Sequence, residues 1–473
     1  MYKLLSVWCL FFFFAASYAV KVDSSQFGGF GKLKIYYDTD RPSNIVLFIS
    51  GNDGWNSGVV NMAKAMTSLN TMVVGIDSKR YVAYLQRLNS SCYYPAADFE
   101  NLSKFIQKKY RLPNYISPVI IGYSSGATLA YGIIAQAPEN TFKGAIGLGF
   151  CPNIELPKPL CKGAGLESIK RKDNKGYDLQ SLHLKSPFIV LLGEKDKSCD
   201  FETVKEFVNK TPKCELVLLP KVGHEYSVQK NWMPQFMDSF KNLLSYDEEK
   251  KINLKPAATK KDISRPQGLD ELPLKVIPAK NPGTTSLIFM ISGDGGWTGF
   301  DQELARHLSE QSYSVVGLDA LQYFWAEKTP EEVAKDVVPV INYYLSEWEC
   351  KELILAGYSF GADIMPFLAN RLSPDLKNKI KLVAMLSPDE WADFEIHISD
   401  MLSLSSSEDD HNVLLELKKW KGKTLVVFGT EETPNKFESL PKSQFKQLVI
   451  PGGHHYGNNF DALVNGITKT QTN

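Results

Sequence analysis

Residues 352–363, ELILAGYSFGAD, place Ser359 between two glycines at the end of an apolar run. Such a run predicts a buried strand, and the residues that follow, ADIMPFLANRL, predict a helix. Residues 120–130, IIGYSSGATLA, repeat the arrangement around Ser124. A lone Gly-x-Ser-x-Gly motif is weak evidence, because glycine and serine are common residues. The order strand, serine, helix is more specific, and it predicts a sharp turn that exposes the serine at the end of a sheet.

The two serine turns belong to a longer internal repeat. Residues 45–58, IVLFISGNDGWNSG, match residues 287–300, LIFMISGDGGWTGF. Three further pairs of stretches match in the same order: 73–77 with 315–319, 188–196 with 425–432, and 216–226 with 448–457. Because the order is kept through both halves, the sequence predicts a duplicated domain.

Each half alternates short runs rich in Val, Ile and Leu with longer amphipathic stretches. SPVIIGYS and PFIVLLG are examples of the apolar runs, and FENLSKFIQKKY is an example of the amphipathic ones. This alternation predicts a mainly parallel sheet covered by helices on both faces. Together with the serine turns, it predicts an α/β protein that consists of two α/β-hydrolase domains in tandem.

The predicted boundaries divide the 473 residues into four parts. Residues 1–19 have a basic start, an apolar run and a small residue at the end, which is typical of a cleaved signal peptide. The apolar run falls short of the roughly 20 residues that span a bilayer. Residues 20–245 are the predicted N-terminal domain, and residues 274–473 are the predicted C-terminal domain. Residues 246–273 are charged and contain proline, so they predict a linker.

Export places the cysteines in an oxidising compartment, where we expect them to pair. Five of the six that follow the signal peptide lie in the N-terminal half, and Cys350 lies alone in the C-terminal half. At least one domain therefore holds an unpaired thiol, and the sequence leaves the connectivity open. No cysteine or histidine spacing predicts a metal site. We also expect no other cofactor and no nucleic-acid partner.

Hydrolysis by a serine needs a histidine base and a carboxylate that orients it. In the predicted fold the acid follows the serine and the histidine comes last. After Ser359, Glu432 follows the run KTLVVFG, and His454 and His455 follow the run QLVIP. We favour His454 as the base because a catalytic histidine usually follows a small residue directly, and His455 remains the alternative. The equivalent N-terminal set is Ser124, Asp196 and His224.

An oxyanion hole needs backbone N–H groups close to the serine. Phe360, the residue after the serine, is the first predicted donor. The second comes from the glycine-rich loop SGDGGW, residues 292–297, where Asp294 and Gly295 are the predicted donors. Glycines in this loop allow the backbone to approach the substrate oxygen. Residues 50–55, SGNDGW, are the equivalent N-terminal loop.

The formal net charge of zero conceals an asymmetry between the halves. Residues 1–273 contain 35 Lys and Arg against 26 Asp and Glu, whereas residues 274–473 contain 18 against 27. The basic half favours an anionic membrane surface, where each Lys or Arg contributes about 1 kcal/mol. The acidic half favours a substrate that carries extra positive charge.

The C-terminal half carries the motifs ISGDGGW, AGYSFGAD, LSPDEWADFEIH and GGHHYGNN. In these motifs it resembles the AcvB/VirJ family of bacterial virulence proteins, and two such halves behind a signal peptide resemble its longer, two-domain members. The resemblance implies a periplasmic serine hydrolase that removes lysine from lysyl-phosphatidylglycerol. It also implies a link to virulence and to type IV secretion components as partners. Carried over, Ser359 is the nucleophile, while Glu432 departs from the commoner Asp. We expect the N-terminal triad to be secondary, because its loop FCPNIELPKPLCKG differs from the C-terminal LSPDEWADFEIH.

A lysyl ester carries two amino groups that carboxylates can bind when they are protonated. The carboxylates predicted near the end of the C-terminal sheet are Asp294, Asp319, Asp363 and Glu395. The competing interpretation is that such residues only cap helices.

Two other functions fit the same sequence. One is an exported esterase or peptidase with a different substrate, and the other is a secretion-machine scaffold without activity. A serine-reactive phosphonate distinguishes the scaffold from an enzyme, because it labels Ser359 only in an enzyme.

Overall fold

The computed structural model describes residues 20–246, 266, 268–281, 286–397, 411–432, 437, 440–441 and 445–472, without the side chains of Ser57 and Thr472. The predicted signal peptide and most of the predicted linker lie outside the described residues, so both stay predictions.

An eight-stranded sheet forms the centre of the N-terminal half. In sheet order its strands are β1 (Lys21–Phe27), β2 (Gly31–Tyr37), β4 (Thr71–Ile76), β3 (Asn44–Ile49), β5 (Val119–Tyr123), β6 (Gly144–Leu148), β10 (Phe188–Gly193) and β11 (Cys214–Leu219). The pairs β1–β2 and β2–β4 are antiparallel, and the remaining pairs are parallel. A separate small sheet is inserted between β6 and β10. Its strands are β7 (Asn153–Ile154), β9 (Tyr177–Gln180) and β8 (Glu167–Lys170).

The helices of this half alternate with the strands along the chain, as the sequence pattern predicted. They are α1 (Ser57–Thr67), α2 (Ser78–Leu85), α3 (Pro95–Lys109), α4 (Ser125–Gln136), α5 (Phe201–Lys210) and α6 (Met233–Leu244), with short 3₁₀ helices at Gly28–Phe30 and Gln229–Asn231. Side-chain caps define several of their starts. The Asp77 side chain accepts a hydrogen bond from the backbone of Arg80, and Asp200 does the same for Thr203.

A seven-stranded sheet forms the centre of the C-terminal half. In sheet order its strands are β12 (Leu274–Ile277), β14 (Ser314–Leu318), β13 (Ser286–Ile291), β15 (Glu352–Tyr358), β16 (Ile380–Leu386), β17 (Thr424–Gly429) and β18 (Phe445–Ile450). Its helices are α7 (Gly299–Glu310), α8 (Ala320–Tyr323), α9 (Pro330–Glu347), α10 (Phe360–Arg371), α11 (Pro374–Lys379), α12 (Val413–Lys419) and α13 (Phe460–Thr472), with 3₁₀ helices at Leu269–Glu271 and Tyr456–Asn458. Only the β12–β14 pair is antiparallel among the described pairs.

The two sheets share one topology. From β2 to β11 the first sheet has the strand order of the second from β12 to β18, and β1 is an additional edge strand. Both faces of each sheet are covered, because successive residues of a strand join different apolar clusters. In β13, Leu287, Phe289 and Ile291 pack on one face, and Ile288 and Met290 pack on the other. The prediction of two α/β-hydrolase domains in tandem is therefore confirmed.

Two disulfides lie in the N-terminal half, Cys92–Cys161 and Cys151–Cys199. Among the cysteines that the structure describes, Cys214 and Cys350 are unpaired. The expectation of an unpaired thiol is confirmed, and the connectivity that the sequence left open is assigned.

Among the described residues, no helix combines the length and the apolar character needed to cross a membrane.

The two domains contact each other through buried groups. Trp325 of the C-terminal domain donates a hydrogen bond from Nε1 to the Leu112 carbonyl, 2.9 Å away, and its ring packs against Tyr115. Lys108 Nζ lies 2.6 Å from Glu395 Oε1 and 4.6 Å from the centre of the Trp325 ring. Tyr115 is 7% exposed and belongs to the apolar cluster of the other domain. These contacts fix which surfaces of the domains face each other.

Candidate active sites

The two predicted serine turns have the same backbone conformation. Ser124 follows β5 with φ 54° and ψ −123°, and Ser359 follows β15 with φ 51° and ψ −122°. A positive φ in a non-glycine residue costs about 1–3 kcal/mol and is concentrated at functional sites. The flanking glycines are required because backbones cross closely here. A Cβ on Gly357 would lie 2.2 Å from the Gly361 carbonyl oxygen, and one on Gly361 would lie 2.2 Å from the Ile291 oxygen.

In the N-terminal domain the serine, histidine and acid form a continuous hydrogen-bonded chain. Ser124 Oγ lies 2.9 Å from His224 Nε2, and His224 Nδ1 lies 2.8 Å from Asp196 Oδ2. The hydrogen bond to Asp196 raises the pKa of His224 against the opposing effect of burial. Burial opposes ionisation of Asp196, but its hydrogen bonds from His224 and the backbone prevail and lower its pKa. The arrangement is that of a general base held beside a nucleophile.

A disulfide holds the loop that carries this acid. Asp196 Oδ1 accepts hydrogen bonds from the backbone N–H groups of Ser198 and Cys199, at 2.8 and 3.2 Å. Cys199 is bonded to Cys151, which follows β6. Asp196, Cys199 and His224 place possible metal-ligand atoms within 4.8 Å of one another. Because the Cys199 sulfur is in a disulfide and the other two residues bind each other, the cluster fits a catalytic triad better than a metal site.

In the C-terminal domain the acid and the histidine are joined by a hydrogen bond, and the described residues show none from the histidine to the serine. His454 Nδ1 lies 2.7 Å from Glu432 Oε1. No hydrogen bond joins Ser359 Oγ to His454 within the described part of the chain. Catalytic hydrogen bonds are often long before substrate binds, so this geometry does not exclude His454 as the base. Ser359 and His454 line the same cleft.

The two adjacent histidines have different surroundings. His454 binds Glu432, whereas the His455 ring packs against Phe300 and Tyr358. Burial lowers the pKa of His455. Of the two alternatives that the sequence left open, the structure brings His454 to the acid.

The sequence analysis did not predict Ser387 and Tyr456, the two residues whose side chains help to position Glu432. Glu432 Oε2 accepts hydrogen bonds from Ser387 Oγ at 2.8 Å and from the Gly429 N–H at 2.6 Å. Ser387 Oγ in turn lies 2.5 Å from Tyr456 Oη. The shared pattern Gly-His-x-Tyr, GHEY and GHHY, was a signal for the tyrosine. No local signal marked Ser387, which stands at φ 52° where the N-terminal domain has Gly149 at φ 62°.

The glycine-rich loop lies directly beside the serine, as the oxyanion prediction requires. A Cβ built on Gly293 would lie 3.6 Å from Ser359 Cβ. Helix α10 begins at Phe360, so the N–H of this residue has no acceptor within the helix. Trp297 packs over Gly317, where a Cβ would lie 2.1 Å from the indole ring. The loop is thus anchored next to the serine, and the donor roles of Phe360, Asp294 and Gly295 stay predictions.

Two of the four carboxylates proposed for substrate binding hold backbone structure. Asp319 accepts hydrogen bonds from the Gln322 N–H at 3.1 Å and its side-chain amide at 3.0 Å, and so caps α8. Asp363 accepts a 2.6 Å hydrogen bond from the Asp389 N–H. Both are less than a tenth exposed, and burial raises the pKa of each. The helix-capping interpretation describes Asp319, and Asp363 anchors the loop after β16.

The other two carboxylates lie on different surfaces. Glu395 forms the ion pair with Lys108 at the domain interface, so this carboxylate already has a cationic partner, and its role in substrate binding stays a prediction. Asp294 is exposed and lines the cleft that contains Ser359. Of the four, Asp294 is therefore the carboxylate that the structure places in the cleft of Ser359.

The family described as bacterial virulence protein (VirJ) matches residues 43–145 and 285–473, together more than half of the chain. The match includes Ser359, Glu432 and His454. It also includes Ser124, but it ends before Asp196 and His224.

Solved structures resemble about half of the chain each. One is a dienelactone hydrolase from Anabaena variabilis, 13% identical, which covers 48% of this chain and 98% of its own, with a TM-score of 0.34. Another is an alpha-beta serine hydrolase homologue from Coxiella burnetii, 16% identical, with 47% and 95% covered and a TM-score of 0.31. A third is the esterase domain of a Rhodothermus marinus protein, 12% identical, with 47% and 97% covered and a TM-score of 0.32. No curated protein sequence matches significantly.

Proposed function

The chain belongs to the VirJ family of bacterial virulence proteins, and we propose that it is an exported serine hydrolase that cleaves the aminoacyl ester of lysyl-phosphatidylglycerol. One observation carries the proposal. In each half a serine on a strained strand-to-helix turn lies at the sheet edge that also holds a histidine bonded to a carboxylate. This combination supports acyl transfer from an ester.

The C-terminal residues would divide the reaction as follows. Ser359 Oγ attacks the lysyl carbonyl carbon while His454 accepts the hydroxyl proton, and Glu432 stabilises the imidazolium. Backbone N–H groups beside the serine stabilise the oxyanion. The bond from the carbonyl carbon to the glycerol oxygen then breaks, and His454 returns the proton to that oxygen, releasing phosphatidylglycerol. Water repeats the sequence on the lysyl-enzyme ester and releases lysine.

Two observations favour Ser359 over Ser124 as the serine of this reaction. The family match runs unbroken over all three C-terminal residues, whereas in the N-terminal half it stops at residue 145. Ser359 also lines a cleft of about 850 Å³, a size typical of ligand-binding sites.

The substrate class follows from charge and location. The exposed Asp294 in the cleft is available to an ammonium group of a lysyl ester. The basic N-terminal half suits an anionic membrane surface. The proposal also includes a periplasmic location, which rests on the predicted signal peptide and the family resemblance. It further includes a contact with type IV secretion components, which rests on the family resemblance.

The test measures lysine release from lysylated phosphatidylglycerol in vesicles, with alanylated and unmodified phosphatidylglycerol as comparison substrates. We expect release from the lysylated lipid, and Ser359→Ala should lower kcat by about 10⁴–10⁶-fold, because only binding and oxyanion stabilisation remain. Ser124→Ala is the matched control and should retain most of the activity. A Ser359→Ala activity within tenfold of the unmodified protein would refute the assignment.

The assembled N-terminal triad supports a second, secondary hydrolase site. Its Ser124–His224 hydrogen bond of 2.9 Å supports reaction with a fluorophosphonate. Labelling at both serines would support two enzymatic sites, and labelling at neither would favour the scaffold alternative.

A further inference from the structure

The N-terminal domain forms part of the cleft that contains Ser359 of the C-terminal domain. Ser359, His454 and Asp294 line the cleft from one side, and Glu139 and Lys185 line it from the other. The site is therefore a product of two domains, although all three of its predicted catalytic residues come from one.

A direct contact holds this N-terminal surface against the glycine-rich loop. Asn140 donates a hydrogen bond from Nδ2 to the Trp297 carbonyl, 3.1 Å away. A Cβ built on Gly299 would lie 3.5 Å from Glu139 Cβ. Because the same loop lies beside Ser359, the position of Glu139 relative to the cleft is fixed by packing.

The N-terminal lining of the shared cleft carries charges of both signs. Lys185 is exposed, and Glu139 is half-buried. Both residues also line a neighbouring cavity of about 630 Å³, and Gly295 and Gly296 of the glycine-rich loop line both spaces as well. A ligand in the cleft that carries an anionic group and a cationic group therefore finds a basic and an acidic residue on this domain.

An incompletely bonded acid lies on the C-terminal side of the cleft. Asp301 is fully buried and lines the cleft, and its Oδ2 accepts hydrogen bonds from the Thr298 N–H and hydroxyl at 2.9 Å. Its Oδ1 has no hydrogen-bond partner among the residues that the structure describes. Buried polar atoms are normally bonded, so an unbonded oxygen here is consistent with a site for a donor group.

We propose that the N-terminal domain recognises the head group of the substrate cleaved at Ser359, with Lys185 contacting the phosphate and Glu139 contacting an ammonium group of the lysyl moiety. The inference rests on the proposed substrate and adds a role for the duplicated domain. It gives the charged residues that the N-terminal domain adds to the cleft a role beside that of Asp294.

The test measures binding to the full chain with Ser124→Ala and Ser359→Ala, so that no ligand is consumed. The ligands for calorimetry are lysyl-glycerophosphoglycerol, lysylglycerol without the phosphate, and glycerophosphoglycerol without the lysine. Lys185→Gln should weaken binding of both phosphate-bearing ligands by about 3- to 10-fold and leave lysylglycerol unchanged. Glu139→Gln should weaken both lysylated ligands by a similar factor and leave glycerophosphoglycerol unchanged.

Lys205→Gln and Glu202→Gln are matched controls on α5, a helix of the same domain that does not line the cleft. They should change no affinity. The inference is overturned if the two cleft variants bind all three ligands as tightly as the parent, if they lose affinity for all three equally, or if the parent binds none of them. If the ligand-specific losses appear while the unmodified chain releases no lysine, the inference stands and the proposed hydrolysis fails.

Discussion

The N-terminal and C-terminal serine sites share a backbone turn but differ in which contacts are made. In the N-terminal site, Ser124, His224 and Asp196 are already joined by hydrogen bonds of 2.9 and 2.8 Å. In the C-terminal site, the 2.7 Å contact from His454 to Glu432 is made, and the described residues show no hydrogen bond from this histidine to Ser359. The two domains therefore share the backbone conformation of the serine turn, but they differ in the hydrogen bond between serine and histidine.

The acids are held by different means. The Asp196 carboxylate binds backbone N–H groups of its own loop, and Cys199 joins that loop to Cys151 by a disulfide. Glu432 is one methylene longer, and Ser387 on a neighbouring strand end holds its second oxygen. A longer side chain has more rotamers to lose, so it gains more from a side-chain partner than an aspartate in a tight loop does. The comparison shows two solutions to one requirement, an oriented histidine.

Among the variants that test this comparison, those of the two C-terminal histidines have the largest expected difference. His454→Gln should lower kcat for lysine release by about 10²–10⁴-fold, because the general base is lost. His455→Gln should stay within tenfold of the unmodified protein, because the ring of His455 packs against Phe300 and Tyr358 and it is His454 that binds the acid. Steady-state kinetics on the lysylated lipid measure both. An equal loss in the two variants would contradict the assignment of the base.

The next effect tests whether the disulfide positions the N-terminal acid. Cys151→Ser with Cys199→Ser should slow fluorophosphonate labelling of Ser124 by about 10- to 100-fold, because a displaced acid loop no longer orients His224. For its sequence separation of 48, losing the cross-link should also cost about 4 kcal/mol of unfolding free energy.

The matched control removes the other disulfide. Cys92→Ser with Cys161→Ser opens a loop of separation 69 that does not carry the acid. It should lower stability by a similar amount while Ser124 labelling in the folded protein continues. Labelling of Ser359 should be unchanged in both pairs. Equal slowing at Ser124 in the two pairs would show that the disulfides act through stability alone.

A smaller effect tests Ser387 as a positioning residue for Glu432. Ser387→Ala removes a hydrogen bond to the carboxylate and should lower kcat about tenfold with KM unchanged. Ser387→Gly removes the same hydroxyl but suits the φ of 52°, so it should lose the same kcat with less loss of stability. A change confined to thermal stability in both variants would show that Ser387 is merely structural.

The smallest effect is a shift in pH dependence at the N-terminal site. His224 must be neutral to act as a base, and its hydrogen bond to Asp196 raises its pKa above the usual 6.5. Labelling of Ser124 should therefore fall, as the pH is lowered, at a higher pH than an ordinary histidine gives. Asp196→Asn should move this fall to lower pH and also reduce the maximal rate. A pH profile that is identical in Asp196→Asn would mean that another group titrates.

The same pair has a predictable effect on stability. Because its folded pKa is raised, His224 stabilises the fold below its unfolded pKa, and this contribution is lost as the pH rises through the folded value. The pKa of Asp196 is lowered, so its contribution is present above its unfolded pKa and is lost as the pH falls through the folded value.

The sequence by itself determined the duplicated α/β fold, both serine turns, the glycine-rich loops and the order of acid and histidine. These features depend on contiguous residues: an apolar run makes a buried strand, and only glycine fits where Gly357 and Gly361 let backbones cross. Glu432 could be placed because it stands three residues after the glycine that ends its strand, as Asp196 does in the N-terminal half.

Only the tertiary structure decided which side chains meet. It brought His454 rather than His455 to Glu432, because neighbouring residues in a turn point in different directions. In the tertiary structure Asp319 and Asp363 accept hydrogen bonds from backbone N–H groups. Glu395 forms an ion pair with Lys108, which lies 287 positions away in the chain. The cleft shared by the two domains also depends on residues that are far apart in the sequence. Such contacts depend on how separate elements pack, and no local pattern of residues encodes that packing.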